Sequence, residues 1–121
     1  MERMVVIDMA VSGKSANALP VVYICSRYRG DPEGNTEKAR RYCRFAVDHC
    51  FIPIAPHLLL PQFMKEPEER KLAMVMDLVL LRKCEELWVF GEASEGMKQE
   101  IAYASKLKMK IRYFKEEDSY V

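Results

Sequence analysis

Three short segments of this chain carry side chains suited to chemistry. In "FGEASEGMKQEIAYA", residues 90–104, an apolar run ends in a tight turn and Ser94, Gly96 and Glu100 follow at the spacing of a helix start. A serine at the N-cap leaves the first-turn amides pointing outward as an anion site, and Gly96 removes a side chain that would obstruct close approach. Gly96, Glu100 and Tyr103 then share a face beside a Met97 and Ile101 stripe. No lysine or arginine follows Glu100 at i+3 or i+4, so a local helix salt bridge does not account for it. In "YICSRYRGD", 23–31, Ser26, Arg27, Arg29 and Gly30 together with turn amides suit an anionic group such as phosphate. Asp77 is the only charge in "LAMVMDLVLL", 72–81; it shares a helical face with Ala73, Leu80 and Leu81, and so is either partly buried or placed where that face meets a cleft. Burial would raise its pKa and favour the protonated form that a general acid needs.

Each residue also has a plain alternative. The arginines fit a solvated basic turn, Asp77 a loop cap or ion pair, Ser94 simple capping and Glu100 a solvated helix glutamate. Taken together, a phosphate-suited turn, a protonatable aspartate and a glutamate beside an anion-binding helix start form the parts list for cleaving a glycosidic bond in a nucleotide.

These residues need elements to position them. From Val21 onward, short β-rich runs alternate with longer amphipathic ones, the pattern of parallel βαβ units. The spacing predicts strands at 21–26, 51–55, 86–91 and 110–114. Asn35 serves as N-cap of a helix over 35–49, with Ala39, Cys43, Ala46, Val47 and Cys50 at helical spacing. Pro67 fits the first position of a second helix whose apolar stripe is Leu72, Met76, Val79 and Leu80. Ser94 caps a third, with Met97, Ile101, Ala104 and Leu107 inward. The expected fold is a small doubly wound parallel sheet, a three-layer α/β/α (flavodoxin-like or Rossmann-like) domain over 21–121, with ligands at the carboxyl ends of its strands. Residues 1–20 read as an N-terminal extension, a strand plus linker. Their "SGKS" lacks a P-loop, because Asp8 stands where glycine is required and a new strand follows Pro20 at once.

Composition narrows the function classes. With 121 residues, half of them hydrophobic, one domain with one core is expected. Nineteen basic against 18 acidic residues leave no electrostatic footprint for polymeric nucleic acid or an anionic membrane. No apolar run reaches the length of a membrane span and no signal-peptide pattern opens the chain, so the expected compartment is the cytosol. Cys25, Cys43, Cys50 and Cys84 form no CxxC, and no histidine pair stands at ligand spacing, which favours free thiols over zinc or disulfides.

The segments "VYICSRYRG", "PIAPHLLLPQF", "ELWVFG" and "SEGMKQEIAYA", in this order over residues 21–114, resemble the nucleoside 2-deoxyribosyltransferase-like superfamily, closest in pattern to its small uncharacterised bacterial and phage domains. Two branches are similar: deoxyribosyltransferases, and 2'-deoxynucleoside 5'-monophosphate N-glycosidases. The resemblance implies a glutamate nucleophile on C1' of the sugar, matched by Glu100, with a catalytic aspartate matched by Asp77 and a strand-end tyrosine matched by Tyr23. It implies 5'-phosphate binding at Ser94 and Gly96 and at the Ser26, Arg27, Arg29 and Gly30 turn. The acidic residue usual before the third strand appears as Glu85 or Glu86. His57, after the second strand, contacts the base or packs its loop. No metal or organic cofactor is implied. The implied partner is a small nucleoside or nucleotide, and relatives are commonly homo-oligomers in which a neighbour closes the site; Trp88 and the Met-rich second helix fit either core or interface. The alternative function is a non-catalytic nucleotide-binding or sensing module of the same fold.

Overall fold

The structure, a computed structural model, describes residues 19–120. The readings of "SGKS" and of the strand plus linker before Leu19 lie outside the described residues. Strands and helices alternate as β1 Val21–Cys25, α1 Pro32–Asp48, β2 Ile52–Ile54, α2 Arg70–Arg82, β3 Glu86–Phe90, α3 Glu95–Lys106 and β4 Lys110–Phe114. Short 3-10 turns occupy Pro56–Leu58, Leu60–Gln62 and Glu116–Ser119. Every strand pairing is parallel and the sheet order is β2-β1-β3-β4, the expected α/β architecture.

Strand alternation explains the layers. Val22 and Ile24 of β1 with Trp88 and Phe90 of β3 point to the face that α1 covers with Tyr42 and Ala46. Tyr23, Cys25, Leu87 and Val89 point the other way, against Leu81 at the end of α2 and Met97 and Ala104 of α3. Helices on both faces explain why the central strands read as unbroken apolar runs rather than as alternating ones. The α1 face is aromatic. Tyr42 stacks on Phe90 at 4.2 Å, and Phe45 meets Trp88, Phe90 and Phe114 edge-on at 5.9, 5.9 and 5.3 Å between ring centres. Trp88, 1% exposed, is therefore core and not interface.

Several local expectations are corrected. Helix α1 begins at Pro32, a turn earlier than Asn35, because Asp31 is the cap: its carboxylate accepts from Gly34 N at 3.2 Å. A Cβ on Gly34 would fall 2.2 Å from Asp31 Oδ2, so any other residue there would have to turn the Asp31 carboxylate. Asn35 instead lies buried in the helix and donates from Nδ2 to the carbonyls of Tyr28 at 3.0 Å and Arg29 at 3.4 Å. Cys50 falls beyond the helix at φ 63. Helix α2 begins at Arg70 and not Pro67, since residues 66–69 form a turn that Glu69 closes by accepting from Lys65 N at 3.0 Å. Its expected inner stripe is also turned: Leu72, Met76 and Val79 are exposed, while Leu81 is buried with Leu78 and Leu80 packed beside it. Leu107, expected inward, is the exposed C-cap of α3.

Asn35 ties α1 to the loop that follows β1, and that loop borders the site. Asn35→Ala should cost about 1–2 kcal/mol in denaturant unfolding, by stripping two carbonyls of their donor, and should speed amide exchange over residues 28–31. Unchanged unfolding and exchange would show that other contacts hold the loop.

Candidate functional site

The crossover through α1 carries the chain to one side of β1 and the crossover through α2 returns it to the other, so a crevice opens between the carboxyl ends of β1 and β3. There a cavity of about 740 Å³ lies under four segments: Ser26 to Arg29 after β1, Pro56 to Met64 after β2, the inner side of α2, and the start of α3. That volume suits a small-molecule ligand. The cavity brings together Ser26, Arg27, Arg29, His57, Asp77, Ser94, Gly96 and Glu100. Gly30 does not line it; with φ 96 and open space around its Cβ position, it turns the chain toward α1.

Helix α3 starts as expected. Ser94 Oγ accepts from Met97 N at 3.4 Å, and Ser94 N donates to Met97 Sδ at the same distance. A Cβ on Gly96 would meet only the Met74 methyl at 3.8 Å, so this glycine keeps the cavity wall low without being demanded by packing. One turn on, Glu100 is 8% exposed. Tyr23 donates its hydroxyl to Glu100 Oε2, and Cys25 donates its thiol to Oε1 at 3.3 Å. Burial raises the Glu100 pKa, and these two hydrogen bonds oppose the rise by favouring the anion. Burial likewise lifts Tyr23 and Cys25 well above their usual values, so both keep the protons they donate.

Asp77 projects from α2 into the same cavity. Its pKa is pushed up to about 7, first by burial and then by the charge of Glu100. Burial thus raises both carboxyl groups of the cavity, but only Glu100 has donors that favour its anion, and Asp77 holds its proton up to about 7. His57 Nε2 lies 3.2 Å from Ser26 Oγ, and its ring is 5.8 Å from that of Tyr28. Burial lowers His57 to about 4, so it is a neutral imidazole at physiological pH. Arg29 and Arg70 share Glu66 at 3.9 and 3.4 Å at the mouth. Glu85 and Glu86 stand apart from the cavity. Glu85 Oε2 accepts from Val21 N at 2.8 Å, while Glu86 Oε1 takes Trp88 Nε1 and Arg112 Nε, each at 2.9 Å. They lie at the amino ends of β1 and β3, away from the cavity at the carboxyl ends.

Sequence reasoning missed Cys25 and Arg70. The alternation of β1, which places residue 25 on the side of residue 23, was the signal for the first; Arg70 was hidden by the misplaced helix start.

Fold and site define a class: a small parallel α/β domain with a buried glutamate and a half-buried aspartate in a cavity at its strand ends. Residues 20–114, from just before β1 to the end of β4, match the model of a domain of unknown function (DUF7768), and the chain belongs to that family. A comparison with curated proteins gives no match. Among the described residues no helix is long and apolar enough to cross a membrane, and no group of three or more His, Cys, Asp or Glu could hold a metal ion.

Between the ordinary carboxyl value of 3.8 and about 7, the folded protein holds a proton at Asp77 that the unfolded chain has released. Stability therefore falls as pH rises through that window. Thermal melts of Asp77→Asn should show a Tm advantage over wild type that grows across the window and levels off above it. A difference independent of pH would contradict the raised pKa.

Proposed function

We propose that this protein cleaves or transfers at the N-glycosidic bond of a nucleoside, deoxynucleoside or 5'-monophosphate, in the manner of the nucleoside 2-deoxyribosyltransferase-like enzymes it resembles. The observation that carries the reading is a buried glutamate with both oxygens hydrogen-bonded to neutral donors and no ion-pair partner among the described residues, facing a cavity that also holds a carboxylic acid of raised pKa. Glu100 attacks C1' and displaces the base, whose ring nitrogen receives the Asp77 proton; a glycosyl ester on Glu100 results. Water or a second base then attacks C1', Asp77 takes back a proton and Glu100 leaves as carboxylate. Tyr23 orients the nucleophile. Ser94, the first-turn amides of α3 and the arginines at the mouth suit the 5' end, and the neutral His57 beside Tyr28 offers a face and a hydrogen bond to the base.

Purified protein incubated with ribo- and deoxynucleosides and their 5'-monophosphates, with and without a second free base, should release or exchange base. Glu100→Ala should reduce turnover by about 10³-fold or more, as for loss of a covalent nucleophile, while circular dichroism shows the fold retained. Turnover should fall as pH rises through about 7, where Asp77 loses its proton. Tight nucleotide binding without base release would favour the sensing module instead.

The oligomer implied by the same resemblance has a surface to form on. Leu72, Val75, Met76 and Val79 make an exposed stripe on the outer side of α2. Packed antiparallel on a second copy about a two-fold axis between Val75 and Met76, Leu72 meets the partner's Val79 and Val75 meets the partner's Met76. The stripe is thus complementary to itself, as an isologous contact requires. Such a pair braces the helix that carries Asp77. Light scattering should show a dimer for the wild type and a monomer for Met76→Lys; a wild type monomeric at all accessible concentrations would refute the pairing.

A further inference from the structure

Glu100 receives both of its hydrogen bonds from one strand. Residues 23 and 25 lie on the same side of β1, the side that α3 covers, so a single rigid element meets both edges of the carboxylate. The thiol of Cys25 is fully buried among Leu81, Leu87, Val89 and Met97. Its other acceptor within reach is Met97 O at 4.0 Å, against 3.3 Å to Glu100 Oε1, so the carboxylate is the nearer.

A carboxylate whose oxygens are not both held turns about its Cγ–Cδ bond, a broad torsion. A nucleophile free to turn spends most of its time out of line with C1'. A lysine or arginine at position 25 would stop that rotation, but would bind the anion hard and weaken it as a nucleophile. An alanine would leave Oε1 buried with no donor. A thiol packs as a small apolar group and donates weakly, so it fits the apolar layer while still marking one edge of the carboxylate.

We propose that Cys25 is a positioning residue for Glu100, whose thiol fixes the Oε1 edge and favours the ionised form, so that the glutamate is held ready without a cation. This rests on the reading of Glu100 as nucleophile given above. The titratable groups facing Glu100 are Tyr23 and Cys25 from β1 and Asp77 from α2; His57, from the segment after β2, lines the same cavity and is neutral. Of these, the two β1 donors stabilise the anion, and a charged Asp77 opposes it. Removing the thiol therefore raises the Glu100 pKa further, and a hydroxyl in its place returns part of the effect.

The test compares wild type, Cys25→Ala and Cys25→Ser in two readouts. In protein carrying carbon-13 at glutamate side-chain carboxyls, the resonance lost in Glu100→Gln identifies Glu100, and its pH titration is followed by NMR. The midpoint should move to higher pH in Cys25→Ala and back toward wild type in Cys25→Ser. With a nucleotide substrate, the acid limb of the kcat profile should move in the same order, and kcat should fall by about tenfold in the alanine variant with KM little changed, the size expected for one lost hydrogen bond to a charged group. A Glu100 midpoint identical in wild type and Cys25→Ala overturns the proposal. If base release survives Glu100→Ala, the nucleophile reading fails, while the titration still decides whether the thiol holds the carboxylate. Should Cys25→Ala fail to fold, Cys25→Val, apolar and near the cysteine in volume, takes its place in both measurements.

Discussion

The structure turns on how a carboxylate is kept inside an apolar layer with no positive charge paired to it among the described residues. An unpaired buried carboxylate costs several kcal/mol, and the usual remedy is a lysine or arginine. Here the remedy is two neutral donors on adjacent same-side positions of β1, Tyr23 and Cys25. That solution constrains much else. Strand β1 must be central and rigid, and it is, with β2 and β3 paired on its two sides. Helix α3 must start at the carboxyl end of β3 and bring its second turn over β1, which the Ser94 cap fixes. Asp77 sits in the same cavity, where burial first and the nearby Glu100 second keep its proton on to higher pH.

The two faces of the sheet divide the labour. Toward α1 the core is built of rings, Tyr42, Phe45, Trp88, Phe90 and Phe114, whose edge-on and stacked contacts tolerate little displacement. Toward α2 and α3 it is built of smaller and sulfur-bearing groups, Cys25, Cys84, Met97 and Ala104. The rigid face anchors the strands, and the other leaves room for a cavity between α2, α3 and the loops. The loop after β1 is tied back to the rigid side through Asn35, so the residues that border the cavity are held from behind.

Much of this was legible in the residues because local chemistry and tertiary demand agreed. Apolar β-branched runs flanked by turns gave the strands to within a residue at most ends, and Ser94 followed by Gly96 and Glu100 marked a helix start whose geometry the fold keeps. Asp77 was visible because it is the lone charge in an apolar helix. The same apolar character concealed the orientation of α2: with almost no polar face, periodicity offers several equivalent stripes, and contact with β3 and α3, not the pattern, selects Leu81. The start of α1 was misplaced because Asp31 and Asn35 are both good caps, and Asn35 is engaged with the carbonyls of Tyr28 and Arg29 while Asp31 accepts from Gly34 N. Cys25 is legible as a free thiol, which it is; its partner 75 positions away is set by the sheet register and the placement of α3, neither of which a local pattern contains.

Both carboxyl groups of the cavity work against the stability of the fold at neutral pH, since each binds its proton more tightly folded than unfolded and must surrender part of that advantage as pH rises. A chain selected for stability alone would place leucine or asparagine at these positions, where the surroundings of Leu81, Met74 and Met97 would accept them. The cost falls on the side of the sheet that faces α2 and α3, and the ring cluster beneath α1 lies on the far side of β1 and β3. The two donors of Glu100 belong to β1, whose other side chains pack into that ring cluster, so the strand that sets the position of Tyr23 and Cys25 is held from its opposite face.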